Sequence, residues 1–584
     1  MRGGTSVSRL YIRRPEFGTL RVRGNIMYAR ILICMLAGLW SHQALADELF
    51  VGEGEAHSTI GSALAVAARG DVVSIRAGQY AESLETTAPG VTLRGVPAGA
   101  EVVVTHAGRV LRISHPDTTV EGIVFDGQFG DRDAVQIRDE GNNTILRRVE
   151  VRNSGRDCID MGRPSDILIE DSLVHHCLQS SAPECAEPGC REDAHGITGS
   201  PRANVTLRGT EIHTVSGDAI QFDPTRSDPG WTGLLVEDCR IWVGPLPAAI
   251  GGYAAGVVPG ENALDTKTSD DTVDPADVTI RDTVVYGWRG GLISNMAAFN
   301  LKENVRVSVE RVTVHDTEIA FRLRGRTAAR PRGAQVKLVN TVVYDVDTAV
   351  RYEDGIEVVQ MDHVTLGAEV GRIFDDQSEA GRIEARNTLV LGAELPPQLA
   401  EGSNLAVGGE AFVDAAVHDY HLALGSPAVD AGEALEDVVE DREGRIRPVG
   451  DGWDIGAYER PCEPPCEMAM DDGGVPPAMD GGMPPSPDGM VSAPDGAMPT
   501  PDAGAPAEDA ETSNADMRAP AEDTMAPAED GGVPAEDAAS TPSSGETDEG
   551  GCAANGRDQG SGAWWALLCI VLARRRRGAR CQRP

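Results

Sequence analysis

ILIEDSLVH at residues 167–175 and VTLRGTEIH at residues 205–213 share one pattern: apolar and polar residues alternate, a polar pair interrupts, and the alternation resumes. Alternation with a period of two is typical of a strand with one buried face, and the polar pair suits a bend. Nine further segments between residues 91 and 391 repeat the pattern, mostly at steps of 22–29 residues. A repeat of this length indicates stacked structural units.

A third short strand follows the two paired ones in several units. The segments are DCIDMG (157–162), DAIQFD (218–223), NALDTK (262–267), GLISNM (291–296), IAFRLR (319–324) and TAVRYE (348–353). Three short strands per unit and the absence of long helical patterns predict an all-β fold, a right-handed parallel β-helix of about eleven coils. The chain resembles the pectin-lyase-like superfamily over roughly residues 47–400.

Both ends of the predicted β-helix carry segments that suit caps. STIGSALAVAARG predicts a short amphipathic helix that begins near Ser58 and ends at Gly70, and it resembles the N-terminal cap of secreted β-helix proteins. Residues 401–460 contain a segment, 419–459, that resembles the closing motif of many bacterial β-helix proteins. We interpret residues 401–460 as the last coil and the C-terminal cap.

The chain ends carry export and sorting features. Residues 27–46 have a basic start, an apolar run and an Ala-Leu-Ala end, which predict a secretory signal peptide preceded by an over-long N-terminus, 1–26. Residues 461–551, rich in Pro, Ala, Asp and Glu, predict a disordered acidic linker. Residues 552–584 resemble the C-terminal sorting signal of myxobacterial surface proteins. That resemblance implies processing and lipidation at Cys552, and hence an outer-membrane anchor at the cell surface.

The net charge of −39 argues against nucleic acid as a partner, and we expect a monomer. Export permits disulfides, and we expect Cys185 to pair with Cys190 and Cys462 with Cys466. The body then holds an odd number of cysteines, which leaves at least one thiol free or buried.

The third strands predict a polar ledge on the outside of the coil. Aligning them on Ile159, Ile220, Leu264 and Leu292 gives two outward columns, because alternate residues of a strand face the same way. The first column holds Asp160, Gln221, Asp265, Ile293, Arg322 and Arg351; the second holds Gly162, Asp223, Lys267, Asn295, Arg324 and Glu353. Lys267 should therefore lie between Asp223 and Asn295, with Asp157, Asp193, Asp218 and Asn262 at matching corners.

Two long inserts, 177–196 and 242–262, flank this ledge and predict the walls of a cleft. Beyond it, residues 321–333 hold five arginines in an otherwise acidic protein. Because guanidinium groups match carboxylate and sulfate oxygens, Arg322 and Arg324 predict contacts with an anionic polysaccharide, together with Gln221 and Asn295. The alternative is a surface strand whose arginines pair with nearby acids such as Glu353.

Acids and amides on neighbouring turns suit Ca²⁺. The predicted ligands are Asp157, Asp160, Asp193, Asp218, Asp223, Glu261, Asn262 and Asp265. Lys267 with Arg289 on the next turn is similar to the chondroitinase-B and alginate-lyase branch of the superfamily, in which a lysine base acts with an arginine and Ca²⁺. Asp157 and Asp160 resemble the Ca²⁺ cluster of family-nine pectate lyases, whose lysine lies where this chain has Asp265. The resemblance implies a Ca²⁺-assisted polysaccharide lyase with Lys267 as the base.

Two alternatives stay open on the sequence. A glycoside hydrolase would use two of the aspartates on adjacent turns, with His195 as an acid or base; a lone corner histidine is also often a structural hydrogen bonder. A surface β-helix without catalytic activity would use the same ledge to bind glycans, as adhesins do.

Overall fold

The computed structural model describes residues 46–179, 193–222, 231–267, 274–302, 304–325, 332–353, 355–377 and 382–461. The predicted signal peptide, linker and sorting tail lie outside these ranges, apart from Ala46 and Pro461. Asp223 and the cysteines predicted to pair in the insert and the linker also lie outside them. Within the described ranges, no helix is both long and apolar enough to span a membrane.

Three parallel sheets, here named A, B and C, form the body, and each turn of the chain contributes one strand to each sheet along most of the length. Sheet A consists of Glu48–Val51, Val72–Arg76, Thr92–Val96, Thr119–Glu121, Ile145–Arg147, Ser165–Glu170, Ala203–Arg208, Thr232–Glu237, Ala276–Arg281, Val305–Glu310, Gln335–Val339, Val358–Asp362 and Arg382–Arg386. Sheet B consists of Gly78–Ala81, Val102–Thr105, Val124–Asp126, Glu150–Ser154, Leu173–Cys177, Glu211–Val215, Arg240–Trp242, Val284–Tyr286, Thr313–His315, Val342–Val343, Thr365–Leu366, Leu389–Leu391 and Leu405–Val407.

Sheet C consists of Leu84–Glu85, Leu111–Ile113, Val135–Ile137, Ile159–Met161, Ile197–Gly199, Ile220–Phe222, Asn262–Thr266, Ala297–Leu301, Thr317–Arg324, Val346–Glu353 and Val370–Asp376. The predicted all-β parallel β-helix is confirmed. Sheets A and B hold 13 strands each and sheet C holds 11, so the coil is slightly longer than predicted. The repeats omitted its first strands, Glu48–Val51 and Val72–Arg76.

The polar pairs of the repeats mark the corner between sheets A and B. The second residue of most pairs adopts the left-handed conformation, as at Asp171, Asp238, Asp282 and Asn340, with φ between 50° and 53°. Asn, Asp and Gly tolerate this conformation best, because a short polar side chain can hydrogen-bond locally and glycine has no Cβ. The alternating apolar residues point inward and build one continuous core along the coil.

The N-terminal helix is shorter than predicted and spans Ile60–Leu64, with Thr59 as the N-cap residue. Ile60, Ala63 and Leu64 are buried against the first turn. Whether this single helical turn shields the end of the stack stays a prediction.

The C-terminal segment continues the coil once and then folds back along it. The 3₁₀ helix Pro397–Leu399 precedes the strand Leu405–Val407. Two further 3₁₀ helices, Gly409–Ala411 and Ala415–Val417, and an antiparallel hairpin of Phe412–Asp414 with Asp419–Leu422 follow it. Arg447 and Glu459 form an ion pair with both side chains fully buried, and Arg447 also donates to Asn340. The segment is thereby attached to a corner of the coil about 100 residues earlier.

The structure corrects one predicted third strand. GLISNM is a loop rather than a strand, and Leu292 is 49% exposed. The strand of that turn is Ala297–Leu301, whose Phe299 pairs with Leu264 and lies fully buried. Both segments alternate apolar residues. The chain turns at Gly287, which is left-handed, and then forms a further loop before sheet C resumes at Ala297. A Cβ at Gly287 would overlap the carbonyl oxygen of Val243, so the corner requires glycine.

Candidate functional site

The outer face of sheet C carries the predicted ledge, with two differences: one additional strand, and one strand formed by another segment than predicted. Strand pairing places Asp160, Thr198, Gln221, Asp265, Asn300, Arg322 and Arg351 in one outward column on successive turns. The strand Ile197–Gly199 inserts Thr198 between Asp160 and Gln221, and Asn300 replaces the predicted Ile293. The predicted alignment missed Ile197–Gly199 because Ile197 is the only apolar side chain of the strand, whereas the neighbouring three-residue strands carry two.

A hydrogen-bonded network fills the corner that precedes these strands. His195 Nδ1 lies 2.8 Å from Asp157 Oδ1, and Gln221 Nε2 lies 2.9 Å from His195 Nε2. Gln221 also donates to Asp218 Oδ2 at 2.5 Å, and Asn262 donates to Asp218 Oδ1 at 2.8 Å. The network links four successive turns. His195 therefore takes the corner position predicted for Asp193, which is exposed.

The charge of His195 depends on these neighbours. Burial would lower the pKa of His195, but the hydrogen bond to Asp157 and the charges of Asp157 and Asp218 outweigh burial and raise the pKa to about 9. The Gln221 amide, whose orientation satisfies Asp218, presents its nitrogen to His195 Nε2, an arrangement that suits a neutral ring. The carboxylates of Asp157 and Asp218 favour the protonated His195 ring, whereas the Gln221 amide favours the neutral ring. The carboxylates dominate, because opposite charges beside a buried ring act more strongly than one amide.

The two lysines of the ledge share one buried carboxylate. Asp265 is 4% exposed; its Oδ2 lies 2.9 Å from Lys302 Nζ and 3.8 Å from Lys267 Nζ. Lys267 also donates to Gln221 Oε1 at 3.0 Å, and its side chain is 28% exposed. Burial raises the pKa of Asp265 to about 6, although Lys302 and Lys267 pull it down. Two cations thus face one carboxylate on neighbouring turns.

Lys302 stands where the sequence alignment predicted Asn295. The residues AAFNLK (297–302) align with NALDTK (262–267), and both end in lysine, so a signal for Lys302 was present in the sequence. Asn295 lies in the preceding loop, where its side-chain oxygen accepts from Arg351 at 2.7 Å. The prediction that Lys267 is adjacent to Asn295 is therefore wrong.

Arg289 binds residues of later turns of the coil, whereas the predicted mechanism places it beside Lys267. Its guanidinium donates to Asp345 Oδ1 at 2.8 Å, to the Asp345 carbonyl at 2.7 Å and to the Thr317 carbonyl at 3.0 Å. These partners lie at the corners of the next two turns. The contacts hold a corner together, and none of them joins Arg289 to Lys267 or Asp265 among the described residues.

A group of three arginines surrounds Glu353 beyond the lysines. Glu353 lies 3.1 Å from Arg322, 3.4 Å from Arg324 and 2.9 Å from Arg351. Burial would raise the pKa of Glu353, but the three guanidinium groups lower it. The pairing with Glu353 agrees with the alternative reading of the sequence, and Arg351 also lies 3.8 Å from Asp375 Oδ2, so the cluster holds charges of both signs.

The N-terminal turns of sheet C are acidic by contrast. Burial and the charges of Asp133 and Asp157 raise the pKa of Asp160 to about 7. Asp133, which the sequence interpretation did not single out, is 4% exposed and lies near Arg156. Cys158 beside this cluster forms a disulfide with Cys177, and Cys239 is a buried free thiol.

The described part of the second insert packs against the corner between sheets B and C. Leu246 and Tyr253 form a small apolar cluster with Leu178, and the Tyr253 hydroxyl donates to the Gln179 carbonyl at 2.7 Å. Glu261 follows at the corner, where its backbone N–H donates to Gly217. The insert therefore stands beside the acidic turns, as a cleft wall would.

Among the described residues, no three or more His, Cys, Asp or Glu side chains are arranged to hold a metal ion. Asn262 uses its amide group on Asp218 and its oxygen on the Ala297 N–H, while Asp157 and Asp265 face His195 and Lys302. These side chains do not fit Ca²⁺ as they are arranged. With Asp223 outside the described ranges, Ca²⁺ binding stays a prediction.

The fold is similar to that of several solved structures. An alginate lyase from Paenibacillus sp. str. FPU-7 is 16% identical, with 58% of this chain and 98% of that chain covered and a TM-score of 0.35. The pectate lyase Pel9A is 14% identical, with 71% and 97% covered and a TM-score of 0.38. A rhamnogalacturonan lyase is 11% identical, with 70% and 96% covered and a TM-score of 0.41. No protein-family model and no curated protein matches the chain. At these identities and scores, no statement about activity rests on the structural similarity.

Proposed function

We propose that the outer face of sheet C acts on a polysaccharide that carries carboxylate groups, and that Lys267 is the base of a β-elimination. The observation that supports this most is the lysine pair on Asp265. A second ammonium group beside Lys267 disfavours the charged form of the base, which is the effect that a lysine base requires near neutral pH. Lys302 thus supplies a neighbouring cation that the sequence interpretation did not identify.

The elimination assigns one task to each group. Lys302 pairs with the substrate carboxylate, which acidifies the carbon-bound proton beside it. Lys267 Nζ, as a neutral amine, takes that proton, the C–H electron pair forms the double bond, and the glycosidic C–O bond breaks. The leaving oxygen then takes a proton from water. Arg322 and Arg324 bind further carboxylates of the same polymer, because they lie on the turn that follows Lys302.

The proposal is tested by incubating the full-length chain with alginate, pectate, chondroitin sulfate and neutral dextran. We expect an ultraviolet-absorbing unsaturated uronate from one of the anionic polymers and none from dextran. Lys267→Ala should lower the rate at least about 100-fold. Lys337→Ala is the matched control, because Lys337 is a part-exposed lysine that pairs with Asp437 on another face and should leave the rate unchanged. Full activity in Lys267→Ala would exclude Lys267 as the base.

A non-catalytic glycan-binding surface is the second candidate. The observation that favours it is the satisfied corner network, in which Gln221 and Asn262 are 7% and 6% exposed and bound to neighbouring side chains. Retention of the chain on an immobilised anionic polymer without any product would support this function. New reducing ends without an unsaturated product would instead indicate hydrolysis by the aspartates.

We further propose export and anchoring at the cell surface, with Cys552 as the lipidated residue. The Cys158–Cys177 disulfide supports an oxidising compartment. Mass spectrometry of the C-terminal peptide from the native host's membrane fraction tests the anchor, and an unmodified chain that ends at Pro584 would contradict it.

A further inference from the structure

Three histidines meet on two adjacent strands within sheet B, Leu173–Cys177 and Glu211–Val215, outside the proposed polysaccharide site. His175 and His213 are partners on adjacent strands, and their rings stack with centroids 4.9 Å apart. The ring of His176 stands edge-on to both, at 4.8 Å from His175 and 5.8 Å from His213. We name His175, His176 and His213 the histidine cluster. It begins a stack of rings that continues along sheet B through Trp242, Tyr286, His315 and Tyr344.

A carboxylate determines which nitrogen of His175 is free. Glu150 Oε1 lies 3.2 Å from His175 Nε2 and also accepts from Arg152 at 2.7 Å. The hydrogen bond from His175 lowers the pKa of Glu150 to about 2, so the carboxylate is ionised at neutral pH. An ionised carboxylate requires a proton on Nε2, and in the neutral ring Nδ1 then carries a lone pair.

The corner conformation aims the next imidazole at that lone pair. His176 has φ of 55°, a left-handed conformation near the end of the strand Leu173–Cys177. Its Nδ1 lies 2.5 Å from His175 Nδ1, too close for two bare nitrogens without a proton or a cation between them. Burial, with a smaller contribution from His175, lowers the pKa of His176 to about 4.

We propose that His175 Nδ1 and His176 Nδ1 together bind one divalent transition-metal ion of the Cu²⁺, Ni²⁺ or Zn²⁺ class, with water as the remaining ligands. Neutral imidazole nitrogens prefer these ions to Ca²⁺ or Mg²⁺. The Glu150–His175 pair is the carboxylate–histidine arrangement that orients a metal-binding imidazole and increases its basicity. Binding requires the two rings to turn slightly apart, since each nitrogen lies about 2.0–2.1 Å from a bound zinc ion. No third described carboxylate, thiol or imidazole completes the set.

The test uses the full-length chain after removal of metal with a chelator. We expect one Cu²⁺ ion to give an electron paramagnetic resonance spectrum with two coordinated imidazole nitrogens, and Zn²⁺ titration calorimetry to show one matching site. His176→Asn should weaken that site at least tenfold and leave one coordinated nitrogen. Asparagine suits the position, because Asn153 holds the equivalent corner one turn earlier with φ of 54°.

His315→Gln is the matched control, because His315 lies in the same ring stack between Tyr286 and Tyr344 and should leave metal affinity unchanged. Equal affinity in the wild-type chain and His176→Asn would overturn the proposal, as would a wild-type Cu²⁺ spectrum with one nitrogen or none. The wild-type spectrum decides the question even if His176→Asn fails to fold. Lys267→Ala should bind the metal normally, which separates this site from the proposed elimination.

Discussion

Asp265 shows how a single buried group can set the chemistry of its neighbours. One carboxylate oxygen faces Lys302 and Lys267, while Oδ1 is buried without a hydrogen-bond partner among the described residues. The adjacent Asn300 also has a buried oxygen without a partner. Groups of this kind are expensive to bury and are more frequent at functional sites than in structural cores. The proposed mechanism depends on the charge balance at this residue.

Lys302→Met should shift the pH dependence of elimination to higher pH. Without the second ammonium group, the pKa of Lys267 is expected to rise, and the rate at neutral pH should fall about tenfold or more. Lys302→Arg preserves the charge and should retain most of the activity at neutral pH. The measurement is the pH–rate profile of each variant, and identical profiles for Lys302→Met and the wild type would refute the role of Lys302.

Asp160→Asn should change how stability depends on pH. The native pKa of about 7 lies above the unfolded value of about 4, so protonation of Asp160 favours the folded state. That contribution is complete below about pH 4 and is lost as pH rises through 7. Thermal unfolding at pH 4 and pH 8 should therefore show Asp160→Asn gaining about 2 kcal/mol on the wild type at the higher pH. Asp131→Asn, at an exposed acid nearby, should show no such gain.

Strand assignment succeeded where the repeats were regular and failed where the chain leaves the coil between two strands. The eleven repeats all supply strands of sheets A and B, because the alternating pattern and the polar pair occur together at one corner. Sheet C follows inserts of variable length, and no fixed spacing locates its strands. GLISNM therefore fits the strand pattern as well as Ala297–Leu301 does. The position of His195 could be found only once strand pairing was known, whereas the match of AAFNLK to NALDTK could have located Lys302.

Two substitutions test whether Ala297–Leu301 or GLISNM forms the strand of sheet C in this turn. Phe299 is fully buried and stacks on Phe321 with ring centroids 5.2 Å apart, so Phe299→Ala should destabilise the chain by about 3–5 kcal/mol. Leu292 is half exposed in the loop, so Leu292→Ala should cost less than about 0.5 kcal/mol. Denaturant unfolding measures both. A large loss in Leu292→Ala with a small one in Phe299→Ala would restore GLISNM as the strand.

Long-range links stabilise the coil beyond strand pairing. The Cys158–Cys177 disulfide joins two consecutive turns beneath the corner network, and the Arg447–Glu459 pair attaches the C-terminal segment to Asn340. Neither link was predicted, because only the folded coil shows which cysteines and charges meet. The fold class itself followed from the repeats.

The double variant Cys158→Ala/Cys177→Ala should lose about 3 kcal/mol of stability, since the disulfide closes a loop with a sequence separation of 19. Cys185→Ala/Cys190→Ala removes the same number of sulfurs and should lose less, because any loop that those residues close is shorter. Thermal unfolding of the three proteins without reductant gives the comparison. A loss in the second variant equal to that in the first would contradict this expectation.

The left-handed corner that recurs in turn after turn has a consequence for the history of the gene. Each turn carries its own bend, and its strands pair only with those of the turns before and after it. A tandem duplication of one repeat would therefore insert a complete turn of the coil without disturbing the others. Such an event would move the acidic and the basic parts of the outer wall apart by about 4.8 Å, the spacing of neighbouring strands. A coil of this architecture can therefore change the length of its outer wall in steps of one turn.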